Sequence, residues 1–160
     1  MRKSSRTRTS LLIAAVVAVV APLGIIAAHD ENATGIYKTR HDAYHKLGDA
    51  FKTIRDQVKS GSPDLAAIRS AADVVNETSV NQFNWFPAGS GPAPGVKTRA
   101  KAEIWSRPQD FEAAQKLFAD QAKKFHTVVA GNDVAAISAQ FAELGKSCKN
   151  CHETFRTKED

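Results

Sequence analysis

Apolar residues recur at alternating steps of three and four along four segments of the chain, the spacing of one face of an α-helix. In the first, Tyr37, Arg40, Tyr44, Leu47, Phe51, Ile54 and Val58 share a stripe, and the run Ser60-Gly61-Ser62-Pro63 ends it. Ser62 is expected to cap the second helix with Pro63 at its first position, where a missing N–H costs nothing. That helix carries Leu65, Ile68, Ala72, Val75 and Ser79 on one face. From about Asn81 to Val96 the chain is too rich in Pro and Gly for a helix, with Pro87, Gly89, Gly91, Pro92, Pro94 and Gly95 close together.

Thr98–Trp105 predicts a short helical turn, and Ser106-Arg107-Pro108-Gln109 reads as a capping box opening the third long helix. Its stripe is Phe111, Ala114, Phe118, Ala122, Phe125 and Val129, with Gly131 placed to end it. Asn132 or Asp133 can cap the fourth, whose stripe is Val134, Ile137, Phe141, Leu144, Cys148, Cys151 and Phe155. Short links join the first helix to the second and the third to the fourth, so each pair should run antiparallel. No segment sustains the alternation of a strand. The expected fold is all-α, an antiparallel up-down-up-down four-helix bundle over residues 33–157.

Composition fits that picture and locates the charge. The 160 residues are 42% hydrophobic and 24% charged, enough for one domain with a real core. The formal charge of +5 invites a nucleic-acid or membrane partner. Four of the 22 Lys and Arg lie in residues 1–10, which carry no acid, and residues 11–28 carry no charge. A basic stretch before an apolar one reads as a secretory signal over residues 1–28, with Ala27 and Ala28 offering a cleavage point. An uncleaved anchor facing the periplasm is the alternative, because the apolar run just reaches spanning length. Without this segment 18 basic residues face 17 acidic ones, a net +1. Nothing in the remainder supports a nucleic-acid partner, and the rest of the chain is expected in the periplasm.

Two cysteines cannot build a disulfide-rich scaffold. They stand in Cys148-Lys149-Asn150-Cys151-His152, the C-x-x-C-H pattern of covalent c-type haem attachment. On a helix, positions i, i+3 and i+4 share a face, so both thiols can form thioethers with haem vinyl groups while the imidazole lies under the iron. A redox C-x-x-C belongs at a helix N-terminus within a strand–helix fold, whereas this one ends a long stripe. A structural zinc site needs a fourth ligand, and the remaining histidines show no paired spacing. A disulfide between Cys148 and Cys151 would be strained inside a helix.

With this motif at the end of the last of four helices, the sequence resembles the cytochrome c' family, the class II c-type cytochromes, a standing example of the four-helix bundle. The resemblance spans about residues 33–157. It rests on Tyr37-Lys38-Thr39-Arg40 with Tyr44, on Phe86-Pro87-Ala88-Gly89-Ser90, on Ala100-Lys101-Ala102-Glu103-Ile104-Trp105-Ser106, and on Cys148–His152 followed by Phe155-Arg156. It implies one covalent haem c held by Cys148 and Cys151, with His152 as axial iron ligand. It also implies that Arg40 contacts a haem propionate, that His41 can reach one, and that Arg156 sits beside the proximal imidazole. For Arg40 the alternatives are a snorkelling side chain or a pair with Asp42 or another carboxylate. His41 can equally be a surface histidine, and Arg156 a solvated end-of-helix cation.

Tyr44 occupies the point where low-spin members of the superfamily place a Met ligand, and the chain's only Met is Met1. A neutral phenol is a poor ligand, and ionising it in an apolar pocket would cost more still. Tyr44, Phe83 and Phe86 are therefore expected to cover the distal face of a five-coordinate, high-spin iron, or simply to pack. Neither His45 nor His126 is expected to touch the iron. Two functions stay open. One is one-electron transfer with an unknown redox partner protein; the other is binding of nitric oxide or carbon monoxide at the vacant face for scavenging or sensing. No acid–base constellation supports an enzyme. The resemblance also allows a homodimer.

Overall fold

The computed structural model describes the backbone of residues 27–158 and side chains from Gly35 onward. Nearly all of the expected signal segment lies outside the described residues. Among the described residues five helices follow one another: α1 (Ala27–Val58), α2 (Leu65–Asn81), the four-residue α3 (Glu103–Ser106), α4 (Pro108–Ala130) and α5 (Val134–Phe155). A single 3-10 turn, Gln82–Asn84, extends α2. Among the described residues there is no strand, only an isolated antiparallel bridge between Ala100 and Arg156.

The four long helices form the expected bundle. Helix α1 packs on α2, α2 on α4, and α4 on α5. The seam between α1 and α5 is much the loosest of the four. The main core takes Leu47 and Ile54 from α1, Ile68 and Val75 from α2, Phe118 and Phe125 from α4, and Ile137 and Leu144 from α5. These are the stripe residues, because three-and-four spacing puts them on one face of each helix. A second, smaller cluster of Ile104, Phe111 and Phe155 lies at the end where α5 finishes, with Phe86, Trp105 and Cys151 packed against it.

Helix ends depart from the sequence reading in detail. Asp64, not Ser62, caps α2: its carboxylate accepts from the backbone N–H of Ala66 (2.8 Å) and Ala67 (3.1 Å). A charged acceptor at the positive end of the helix dipole outcompetes a hydroxyl two residues earlier. Ser106 makes no capping box. It belongs to α3, and Pro108 opens α4 with Arg107 bonded to Asp110 at 2.8 Å. Asp133 caps α5, accepting from Ala135 and Ala136. Gly131 follows the end of α4 as expected, but the left-handed residue of that turn is Asn132 (φ 61°). Asn tolerates this region through its short polar side chain, and Asn132 also accepts a hydrogen bond from Arg69 of α2.

Candidate functional site

The last two turns of α5 carry the motif. Cys148 and Cys151 are one turn apart, both half-buried and neither in a disulfide. Cys148 packs against the main core and Cys151 against the smaller cluster. Burial pushes the Cys148 thiol up to about 11 and raises that of Cys151 as well. Both are therefore protonated at neutral pH, unlike the activated thiolate of a redox couple. His152, the next residue, is exposed, with an Arg156 guanidinium nitrogen 3.4 Å from its Nδ1. Burial of the ring, then Arg156 and Arg99, hold its pKa below the usual histidine value. A neutral imidazole is the form that binds a metal.

The chain that follows His152 is strapped down. The backbone N–H of Lys101 donates to the carbonyl of Phe155 (3.0 Å), and that of Thr157 to the carbonyl of Arg99 (2.9 Å). The Lys101 ammonium donates to the carbonyls of Glu153 (3.2 Å) and Thr154 (3.3 Å). These bonds satisfy the orphan carbonyls of the α5 terminus.

Across the loose seam, α1 supplies Tyr44 and Arg40. The Tyr44 phenol is driven well above its ordinary pKa by burial, and next by the nearby Cys151 sulfur, with Cys148 adding to the effect. It is thus neutral and faces both cysteines' neighbourhood. Its ring stands edge-on to Trp85 at 5.3 Å between centroids and lies 6.4 Å from Phe86. Its hydroxyl donates to Oε1 of Gln82 at 3.4 Å. Gln82 and Gln115 are buried and joined reciprocally: each side-chain amide donates to the other's backbone carbonyl, at 3.2 and 3.1 Å.

Arg40 is only 5% exposed. Its guanidinium donates to the carbonyl of Ser90 at 2.7 Å and lies over the rings of Tyr37 (4.7 Å) and Phe86 (4.8 Å). Tyr37 in turn donates to the carbonyl of Gly91. Arg40 neither snorkels nor pairs with Asp42, which binds Lys38 and His41 instead. Among the described residues no carboxylate meets Arg40, and burial lowers its pKa, marking an incompletely compensated cation.

The structure therefore brings Cys148, Cys151, Tyr44, Arg40 and Phe86 to one end of the α1–α5 seam, with Arg156 beside His152. It gives His41 other neighbours: the side chain is 68% exposed and touches Asp42 and His45. Phe83 does not join the wall beside Tyr44. It is 44% exposed, and Trp85 takes the place expected of it. The 3-10 turn shifts the face presented after Asn81, so Gln82 and Trp85 turn inward. Sequence reasoning missed Trp85, Gln82 and Gln115. A signal existed for two of them, since Gln82 and Trp85 continue from Ser79 at steps of three. His126 is held at the surface by Asp73, 2.9 Å away.

These residues fit a covalent haem. Two protonated, half-buried thiols one turn apart border a loosely packed seam, and a buried guanidinium with no carboxylate partner among the described residues suits an acidic haem side chain.

Comparison with known proteins agrees. The family model described as cytochrome C' matches residues 36–156. The cytochrome c' of Pararhodospirillum photometricum is 34% identical over 117 residues, covering 73% of this chain and 92% of the relative. A solved nitric oxide complex of a mutant cytochrome c prime from Alcaligenes xylosoxidans is 28% identical with a TM-score of 0.70, covering 79% of this chain and 97% of its own. A cytochrome c' with an unusual ligand-controlled dimer dissociation shares the fold, with a TM-score of 0.73 at 24% identity, covering 79% of this chain and 97% of its own.

Proposed function

The chain belongs to the cytochrome c' family and carries one covalent haem c, and from that premise we propose that it is an exported one-electron carrier, not an enzyme. In this reading Cys148 and Cys151 hold the haem and His152 ligates its iron. When bound, the haem supplies an iron that alternates between ferric and ferrous states. His152 presents a neutral imidazole, with a guanidinium nitrogen of Arg156 beside it. Arg40 offers its guanidinium to a propionate, and the ring stack of Tyr37 and Phe86 holds it in place. Tyr44, Trp85 and Phe86 keep water from the other side of the site.

The observation that carries this reading is the state of Tyr44. Tyr44 is half-buried, and its phenol is neutral and bonded to Gln82, so it supplies no anionic sixth ligand. The chain's one Met is Met1. Of these residues His152 alone would then hold the iron, which would leave it five-coordinate and high-spin. Family members are periplasmic, which supports export by residues 1–28, with an uncleaved anchor facing the periplasm as the alternative.

A second reading is nitric oxide or carbon monoxide binding at the distal face, alone or as a homodimer. It is favoured by the nitric oxide complex of the Alcaligenes relative and by the commitment of the Tyr44 hydroxyl to Gln82. A face without a free donor suits a neutral diatomic better than dioxygen. The ferrous optical spectrum, with and without nitric oxide, tests both. The isolated protein should be high-spin, and Tyr44→Met should create a low-spin species. A low-spin ferrous spectrum in the unaltered protein overturns the five-coordinate reading. A reversible redox couple with no spectral response to nitric oxide leaves electron transfer and removes gas binding.

A further inference from the structure

Two imidazoles stand together on the outer surface of α1, apart from the cysteine motif. His41 and His45 are separated by one helical turn, so they share a face, and both are exposed. Their ring centroids are 4.2 Å apart with planes inclined at 46°. Two imidazoles binding one ion through nitrogens at about 2.0–2.1 Å and at right angles put their centroids roughly 4.5 Å apart. The pair is already close to that spacing on a continuous helix that fixes both backbones.

Behind His41 stands a carboxylate. Asp42 Oδ1 lies 3.1 Å from His41 Nδ1, where it accepts a hydrogen bond from Nδ1–H and leaves the lone pair on Nε2. Metal-binding histidines are oriented in this way by an acceptor on the far ring nitrogen. Lys38 bonds the other oxygen of Asp42, so that cation is already held by the carboxylate. We propose that His41 and His45 form a two-imidazole chelate for a divalent transition metal, Cu(II) before all others. Imidazole nitrogen suits copper, nickel and zinc, and copper leads that series in intrinsic affinity. Among the described residues no third His, Cys, Asp or Glu completes a cluster of three donors. The remaining positions on the ion therefore belong to water or to an outside ligand. The site does not depend on the haem reading.

Copper titration of the full-length haem-loaded protein, followed by electron paramagnetic resonance, tests this. One equivalent of Cu(II) with two equatorial imidazole nitrogens is expected, and His45→Ala should lose it. Asp42→Asn should weaken binding about tenfold by freeing the His41 ring. His126→Ala, which removes a surface histidine paired elsewhere, should change nothing. An unaltered haem Soret band and helical circular dichroism in His45→Ala exclude misfolding. Unchanged stoichiometry and hyperfine pattern in His45→Ala overturn the proposal, as does a pattern showing a single imidazole in the unaltered protein.

Discussion

The hydroxyl of Tyr44 on α1 donates to Oε1 of Gln82, and the NH2 of that amide is itself bound to the carbonyls of Ser79 (3.1 Å) and Gln115 (3.2 Å). The contact from Tyr44 is long at 3.4 Å, but the amide that receives it cannot turn without breaking two shorter bonds. Gln82→Leu removes the amide at similar bulk. Two buried carbonyls then lose a donor, a cost of about 1–3 kcal/mol in unfolding by guanidinium chloride. The freed phenol can also donate to a ligand on the iron. The carbon monoxide stretch of the ferrous protein should fall in Gln82→Leu and stay in place in the double variant with Tyr44→Phe.

Arg40 bonds Ser90 and packs on Tyr37 and Phe86, yet meets no carboxylate among the described residues. Arg40→Met keeps much of the packing and removes the charge. Breaking a buried pair with a propionate should cost about 3–5 kcal/mol in the haem-loaded protein. The reduction potential should also fall, since a cation near the iron disfavours the ferric state. Arg40→Lys should recover part of the potential and little of the stability, because an ammonium lacks the planar fork. An unchanged potential in Arg40→Met would separate Arg40 from the haem.

Asp64 accepts two backbone N–H groups at the start of α2. Asp64→Ala should destabilise the protein by about 1 kcal/mol. Ser62→Ala, which removes no helix contact, should stay within about 0.5 kcal/mol of the unaltered protein. Thermal or denaturant unfolding of the two variants side by side reads the difference.

Asp56 is fully solvated, and its hydrogen bonds to Lys52, then to Arg55, hold its carboxyl below the ordinary 3.8. A depressed carboxyl pKa contributes stability above the unfolded-state value and loses it as pH falls through the folded-state value. Asp56→Asn should therefore melt slightly lower than the unaltered protein at neutral pH. The gap should close only below pH 3.8, and added salt should shrink it at neutral pH, because exposed pairs are screened.

Periodicity made the bundle legible because burial alone decides it. Ile54, Ile68, Val75, Phe125, Ile137 and Leu144 are stripe residues, and each is fully buried. Cys148, Cys151 and Tyr44 were legible for the same reason, as continuations of stripes. The cap of α2 was not, because Ser62 and Asp64 are both good capping residues and the stronger, charged acceptor shows only once the helix start is fixed. The pairing of Gln82 with Gln115 escaped because it depends on two distant segments meeting; spacing from Ser79 marks Gln82 as inward but not the partner it finds. Trp85 takes the place expected of Phe83 because of one 3-10 turn, a small change of rotation that moves every following side chain.

The bridge between Ala100 and Arg156 and the bonds from Lys101 close the far end of α5, while Asp133 closes its start. A helix usually frays from its ends. Here the turn that bears Cys148, Cys151 and His152 can open only if a loop from another part of the chain lets go. Backbone amides of the final turns should then exchange with deuterium at rates set by the opening of the whole bundle end. The turn proposed to hold the cofactor is thereby placed in one of the slowest-opening parts of the chain, although it lies at the end of a helix.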